Sequence, residues 1–575
     1  MPNSAIIISA SMFRVFLALA ALALVGAKDP EQTPAPTVEP ATIYAGGPII
    51  TMAGDTPQKV EAIAVQNGKI VAVGSLSDVI FRTGKTAKRV DLLGHTLMPG
   101  FFDAHGHVSF VGQNAGMVQL QPPPVGGVDS IAKLQATTRD WIAAHPQAPL
   151  IVGNGFDDSQ LVDKRFPTRQ DLDVVTDTKP MVALHVSGHL AVLNSAMLGM
   201  LKIGPDTPNP QGGVIRREAD GKTPSGVLEE RAMEPLFAVL TPKSLDPGVA
   251  SLVAGLNIYA SNGITTAQDG RVTSAAWPAL AEAARRDVLP IDTVVLIGFE
   301  PELSTDLKVL IGKPYSNRLR IGGVKLVVDG SPQGRTAWLH DPVPIPPDGK
   351  GADYRGYPSI DLKLFNARLT EAGKENWQVF GHVNGDEAAQ ALIDGVRANG
   401  LAGKRTIAIH NQVVRAEQLR AMKALDIQPS FFANHTYFWG DWHRDIALGP
   451  KRAAFISPQA SAWAIGLRPS AHNDSPVTPP DIMRLIWSSV NRTTLSGKVL
   501  GPAERISVYR AFQQVTINAA WQVHEEDSKG SLVVGKRADL VVLDTDPLSI
   551  DPAKLYMIKV VATIKDGKTV FGAVE

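Results

Sequence analysis

The sequence predicts an α/β chain whose main body is a (β/α)8 TIM barrel. A small β-sandwich domain built from both termini flanks it, and a large insertion follows barrel strand 1. Three observations lead there. Between residues 97 and 474, short apolar segments ending in turn residues alternate with amphipathic helical stretches. The two ends of the chain share another texture, short strands joined by tight turns. Residues 108–247 separate the first strand from the helix that should follow it, a gap far beyond ordinary loop length.

From the N-terminus, "MFRVFLALAALALVGAKDP" carries one Arg14, an apolar stretch and a small-residue end, the pattern of a signal peptide over 1–27. The apolar run is short for a membrane span, although an uncleaved N-terminal anchor is the alternative. The Pro-rich stretch 28–42 reads as a linker. Together these predict an exported protein, periplasmic or secreted. Residues 43–95 contain "AIAVQNGKIVAVG", where Asn67-Gly68 between alternating apolar runs marks a hairpin. Residues 525–575 repeat that texture and complete the β-sandwich domain. The barrel takes 96–107 and 248–524, and 108–247 form an inserted cap or lid. Its expected strands are 97–107, 263–270, 291–298, 322–330, 377–385, 405–412, 427–434 and 467–474.

Composition is globular, with 44% hydrophobic and 19% charged residues. Lysine plus arginine equals aspartate plus glutamate at 56 each, so no bulk charge points to nucleic acid or an anionic membrane. The absence of cysteine excludes disulfides and thiolate metal sites, leaving His and oxygen ligands for any metal. There is no Gly-x-Ser-x-Gly elbow for serine catalysis.

The polar residues that look wrong for a core sit at the strand ends, which in a barrel converge on one face. In "PGFFDAHGH", spacing of two puts His105 and His107 on one side of a strand, with Asp103 one layer lower. The fifth strand offers His382, the sixth His410 and the eighth Asp474. The fourth, "GGVKLVVDG", places Lys325 in a run apolar on both faces, where a bare ammonium costs several kcal/mol unless paired, neutralised or altered. Pairing with Asp329 is one reading of it. Each residue alone has a bland explanation; their joint occurrence at matching strand ends does not.

With "GHTLMPGFFDAHGHV", "VKLVVDGSPQGRTA", "GHVNGDEA" and "KGSLVVGKRADLVVLDTDP", residues 43–575 resemble the amidohydrolase superfamily. The branch they are most similar to is family 3, which includes N-substituted formamide deformylase. The resemblance implies a metal-containing barrel and a hydrolytic reaction. It implies that His105, His107 and Asp474 hold one divalent metal, most simply zinc, and that His382 and His410 hold a second. A carboxylated Lys325 would bridge the two. Asp474 would act as general acid/base while a hydroxide generated on the metal attacks an amide-type C–N bond. Two departures stand out: Ile409 precedes His410 where the branch often has Glu, and His472-Asn473 precede Asp474 in place of Gly-Ser or Ser. His472 is either a partner of the ligands or part of the core.

His189, His435 and Trp439 are candidates for substrate contact. Aromatic residues above the site, Phe156, Trp338, Tyr437, Trp439 and Trp442, suggest a small-molecule substrate with an apolar or aromatic N-substituent. The alternatives are an ester or lactone hydrolase on the same site and a non-catalytic exported binding or regulatory protein. The sequence leaves open whether the chain is a homo-oligomer.

Overall fold

The computed structural model describes residues 39–574, except 242–243, 300–302 and 348. The signal peptide expected over 1–27, and most of the linker expected over 28–42, lie outside the described residues. Among those described, no helix is long and apolar enough to cross a membrane.

The central element is an eight-stranded sheet whose strands lie side by side in chain order, all parallel. They are Phe101–Phe102, Ile264–Val272, Asp292–Gly298, Leu319–Val327, Val379–Val383, Thr406–His410, Ile427–Phe431 and Ser470–Ala471. These are hereafter the first to eighth strands. Nearly every residue in them is buried, as the unbroken apolar runs require when helices cover the outer face. Helices Leu245–Ser261, Trp277–Arg285, Leu362–Glu375, Asp386–Ala398 and Ala416–Leu425 intervene between successive strands. Beyond the ladder, the two outermost strands meet: Asp474 N donates to His105 O at 3.2 Å and His107 N to Ser475 O at 2.8 Å.

Both termini contribute to a second, eight-stranded sheet, made from Thr42–Ile50, Lys59–Gln66, Lys69–Gly74, Lys88–Asp91 and Thr96–Pro99 with Leu540–Leu543, Val560–Lys565 and Lys568–Gly572. The hairpin turn is at Asn67-Gly68, both with positive φ (50° and 73°), as a two-residue loop between twisted strands requires. The strands of the two termini are joined through the Ile49–Leu97 pair, so the two faces expected of a sandwich belong to one hydrogen-bonded sheet. The strand expected over 97–107 is divided. Thr96–Pro99 pairs antiparallel with Leu540–Leu543, which takes its backbone bonds, and the sheet carrying the histidines begins only at Phe101. The barrel boundary placed at residue 96 is corrected accordingly.

Residues 108–247 contain a six-stranded sheet of their own. Three of its strands matter below: Met181–His185, Leu190–Leu193 and Pro224–Glu230. The last two pair antiparallel with Leu190 opposite Glu229, which sets Glu230 across from His189, and Glu230 N donates to His189 O at 2.9 Å.

At the N-terminal end of the parallel sheet lies a buried ionic cluster. Asp292 Oδ2 stands 2.6 Å from Lys529 Nζ and 2.7 Å from Lys565 Nζ. Lys565 also reaches Asp539 at 2.7 Å and Lys529 reaches Glu525 at 2.6 Å. Burial opposes charge on Asp292, but the two ammonium groups hold its carboxyl well below the usual range. Removing one partner strands a buried charge, so Asp292→Asn should destabilise the protein by about 3–5 kcal/mol at neutral pH. Because the folded pKa is depressed, this stabilisation is present above the ordinary carboxylate pKa and fades as pH falls below it. Chemical melts of parent and variant should therefore converge below about pH 4.

Candidate metal centre

Six residues named by the sequence meet at the C-terminal ends of the strands. Two-residue spacing turns His105 and His107 the same way just past the first strand, their ring centroids 5.2 Å apart. Parallel register sets Val327 beside His382 and Val383 beside His410, which brings the fifth- and sixth-strand imidazoles to 4.4 Å between centroids. Lys325 Nζ, buried within the fourth strand, lies 2.9 Å from His105 Nε2. Asp474 Oδ1 is 3.4 Å from His107 Nε2 and 3.6 Å from His105 Nε2, and its Oδ2 is 3.9 Å from His410 Nε2. His410 and Asp474 both hold positive φ (69° and 52°), an uncommon backbone state for side-chain-bearing residues that recurs at functional sites.

Each of the four strand histidines has a neighbour behind it. His105 Nδ1 meets Gln268 Oε1 at 3.1 Å, and His107 Nδ1 donates to Gly270 O at 2.7 Å. A Cβ at Gly270 would strike the His105 ring, so only glycine lets the second strand come so close. His410 Nδ1 faces His472 Nε2 at 3.0 Å, while His472 Nδ1 meets Ser430 Oγ at 2.8 Å. If His472 donates to Ser430, its free nitrogen accepts from His410 Nδ1 and leaves His410 Nε2 as a bare lone pair. His382 Nδ1 faces Asp329 Oδ1 at 3.4 Å. Asp329 itself accepts from the backbone N–H groups of Asn384, Gly385 and Trp338 at 2.9, 2.7 and 3.0 Å.

Burial, and then the neighbouring Lys325 charge and imidazoles, push His105, His382 and His410 well below the ordinary histidine range, so they stay neutral. Burial also opposes charge on Asp474, but the His107 imidazole and the positive groups around it hold its carboxyl well below the usual range. Asp474 Oδ1 is buried without a hydrogen-bond partner although three imidazoles surround the carboxylate. Neutral nitrogens converging on an ionised, unsatisfied oxygen suit a divalent cation with nitrogen and oxygen ligands.

The remaining sequence candidates divide. His189 reaches the cluster from the inserted segment, its Nε2 3.2 Å from His382 Nε2. His435 lines the same small cavity, along with Ser331, Gln333 and Asn384. Trp439 does not line it. Its Nε1 donates to Asp157 Oδ2 at 2.6 Å, fastening helix His435–Trp442 to the inserted segment. Asp157, Asp158 and His185 form a second buried group that the sequence reading missed. Ser159, Gln160 and Trp439 already occupy both oxygens of Asp157, which makes it a structural latch. The paired aspartates closing "NGFDD" were the available signal.

The sequence model of the amidohydrolase family matches residues 88–571. The chain belongs to the amidohydrolase family. This amidohydrolase is 27% identical over 543 residues to the Bacillus subtilis protein YtcJ, covering 92% of this chain and 99% of that one. It is also 27% identical to the N-substituted formamide deformylase of Arthrobacter pascens, over 88% of this chain and 94% of the relative. A solved metal-dependent hydrolase of unassigned function from Pyrococcus furiosus superposes with a TM-score of 0.69 at 26% identity, covering 88% of this chain and 100% of that one. Its counterpart from Pyrococcus horikoshii gives 0.71 at 24% identity, over 89% and 99%. The fold is thus the α/β fold of metal-dependent hydrolases, and the family implies a divalent metal.

His472 is not itself an expected ligand and acts on the centre through His410. His472→Ala should weaken metal binding by about 10–100-fold, measured by chelator competition, with an unchanged circular dichroism spectrum.

Proposed function

We propose that this amidohydrolase cleaves an amide-type C–N bond of a small molecule, on a centre of two divalent ions at the mouth of a closed (β/α)8 barrel. The observation that carries the proposal is the convergence of His105, His107, His382, His410 and Asp474 around Lys325. His105, His107 and Asp474 would hold one ion, and His382 and His410 the other. Zinc suits the nitrogen-rich donor set. Bound there, the ions would acidify water and polarise a carbonyl.

An anion is needed between two dications, which neutral imidazoles cannot offset. Lys325 can become one. Its neutral amine adds to carbon dioxide: an N–C bond forms as one C–O π bond opens onto oxygen, and the nitrogen then gives up one proton to water. The product is a carbamate with two ligand oxygens. Burial favours the neutral amine that this step requires.

Asp474 would take a proton from water and return it to the leaving nitrogen. Ser331, Gln333, Asn384 and His435 line the cavity beside it and can orient the substrate carbonyl. Next to that cavity, and sharing Val477 with it, is a second one of about 280 Å3. Val111, Val125, Val186, Phe438 and Trp439 line it with several prolines and amides, and with no charged side chain among the described residues. This supports a neutral, apolar or aromatic N-substituent over a charged one. The leader-like N-terminus supports export.

Two measurements test the proposal. Purified protein should contain close to two divalent ions per chain, and a hydrolysis screen should favour formamides and anilides with apolar N-substituents over N-acyl amino acids and aryl esters. Asp474→Asn should lower kcat by about 10²–10⁴-fold; turnover at the parental rate would remove Asp474 from proton transfer. Lys325→Ala should lose metal and activity, and short carboxylic acids should restore part of both. A variant that keeps two ions unaided would rule out the carbamate bridge.

A further inference from the structure

His435 opens the helix His435–Trp442, just past the seventh strand, and lines the small cavity that also holds His382, His410 and Asp474. Its Nδ1 meets His443 Nε2 at 3.0 Å, and His443 does not line that cavity. No other hydrogen bond reaches the His435 ring from the described residues, so Nε2 is left to the cavity. The Phe432 and Trp439 rings pack against it, with 4.6 and 4.7 Å between centroids.

His443 is fully buried and begins a π turn, His443–Ala447, closed by Leu448 N donating to His443 O at 2.9 Å. Such turns are rare and recur at functional sites. The two imidazoles lie 10° from parallel with centroids 5.2 Å apart, which lets the bond between them run edge to edge.

The direction of that bond decides what His435 offers the cavity. Burial pushes both imidazoles down, His435 well below the ordinary histidine range and His443 to about 3, so each carries a single proton. If His435 donated from Nδ1, the His443 proton would sit on its own Nδ1. That nitrogen is buried and has no hydrogen-bond partner among the described residues. A buried N–H with nothing to receive it is the rarer kind of orphan, and an idle lone pair is the lesser loss. His443 therefore donates from Nε2, and the His435 proton is on the nitrogen that faces the cavity.

We propose that His435 donates its Nε2–H to the oxyanion that forms when the substrate carbonyl is attacked, and that His443 is the positioning residue that puts the proton on that nitrogen. The proposal rests on the reading of this site as a hydrolase centre for C–N bonds. No proton changes hands at His435; its bond to the substrate oxygen strengthens as negative charge gathers there, and this lowers the barrier. Because the ring is already bonded behind, the donor needs no reorientation when charge develops.

The test uses the full chain loaded with Zn²⁺ and the formamide or anilide that the parent turns over fastest. His435→Leu should lower kcat by about 10²–10³-fold, with KM nearly unchanged and the bound metal at the parental level. His443→Leu should lower kcat in the same direction by less, because His435 can then take either tautomer. His443→Gln keeps an N–H to donate to His435 Nδ1 and should recover most of the loss. Circular dichroism identifies a variant that fails to fold, and methionine then replaces leucine at that position. Parental kcat in His435→Leu, or its loss together with the metal, would overturn the donor role. Equal activity in His443→Leu and His443→Gln would overturn the positioning role. A parent that binds no metal or cleaves no amide would instead overturn the hydrolase reading, and this inference with it.

Discussion

Neutral imidazoles, a lysine and an ionised carboxylate share a space largely closed to water, and one oxygen of that carboxylate finds no hydrogen bond among the described residues. Asp474 Oδ1 is left without a hydrogen bond, and beside the carboxylate the His105 and His410 imidazoles are held neutral by burial. Unsatisfied buried polar groups are expensive, so their concentration here must be repaid by something that binds them all. A divalent cation does that. The close approach of Gly270 to the His105 ring and the positive φ of His410 and Asp474 make sense as the means of keeping these donors aimed at one place.

The two ends of the parallel sheet treat buried lysine in opposite ways. At the N-terminal end Lys529 and Lys565 are matched with Asp292, Glu525 and Asp539, and, against the effect of burial, Tyr315 and these acids push Lys529 well above the ordinary range. Such a cluster fixes geometry and joins the terminal sheet to the strands. At the C-terminal end Lys325 sits against His105, and its charge works against protonation of His105, His382 and His410. An ammonium would also repel the cations these histidines suit. On the proposed reading, conversion to a carbamate would reverse the sign of that one group and turn a repulsive neighbour into a bridge.

Much of this was legible in the sequence because it is local. The eight strands were readable from apolar runs ending in turn residues, and the His-x-His spacing gave the direction of two side chains directly. The chain order of Lys325, His382, His410 and Asp474 followed, because each lies in or just past a strand of the same sheet. What escaped depends on contacts between distant segments. That Thr96–Pro99 leaves the histidine-bearing sheet is decided by Leu540–Leu543, more than 400 residues away. His472 could be a partner or a core residue until Ser430 and His410 were seen on its two nitrogens. Trp439 lines the apolar cavity, but no periodicity reveals that its indole N–H is also directed at Asp157.

The inserted segment is the clearest case of function written in long-range geometry. Its sheet buries its own apolar residues, so it has a reason to fold that is independent of the metal site. Yet at the edge facing the strands it carries a histidine backed by a glutamate in a strained backbone state, a combination that packing alone does not require. The strain is sustained because the strand pairing holds Glu230 opposite His189, and the pair is useful only if the segment sits on the strand ends. Loss of docking would separate His189 from His382, leave Asp157 without Trp439 and open the apolar cavity shared by the two parts. Docking of the insertion and the shape of the apolar cavity are then coupled, each favouring the other.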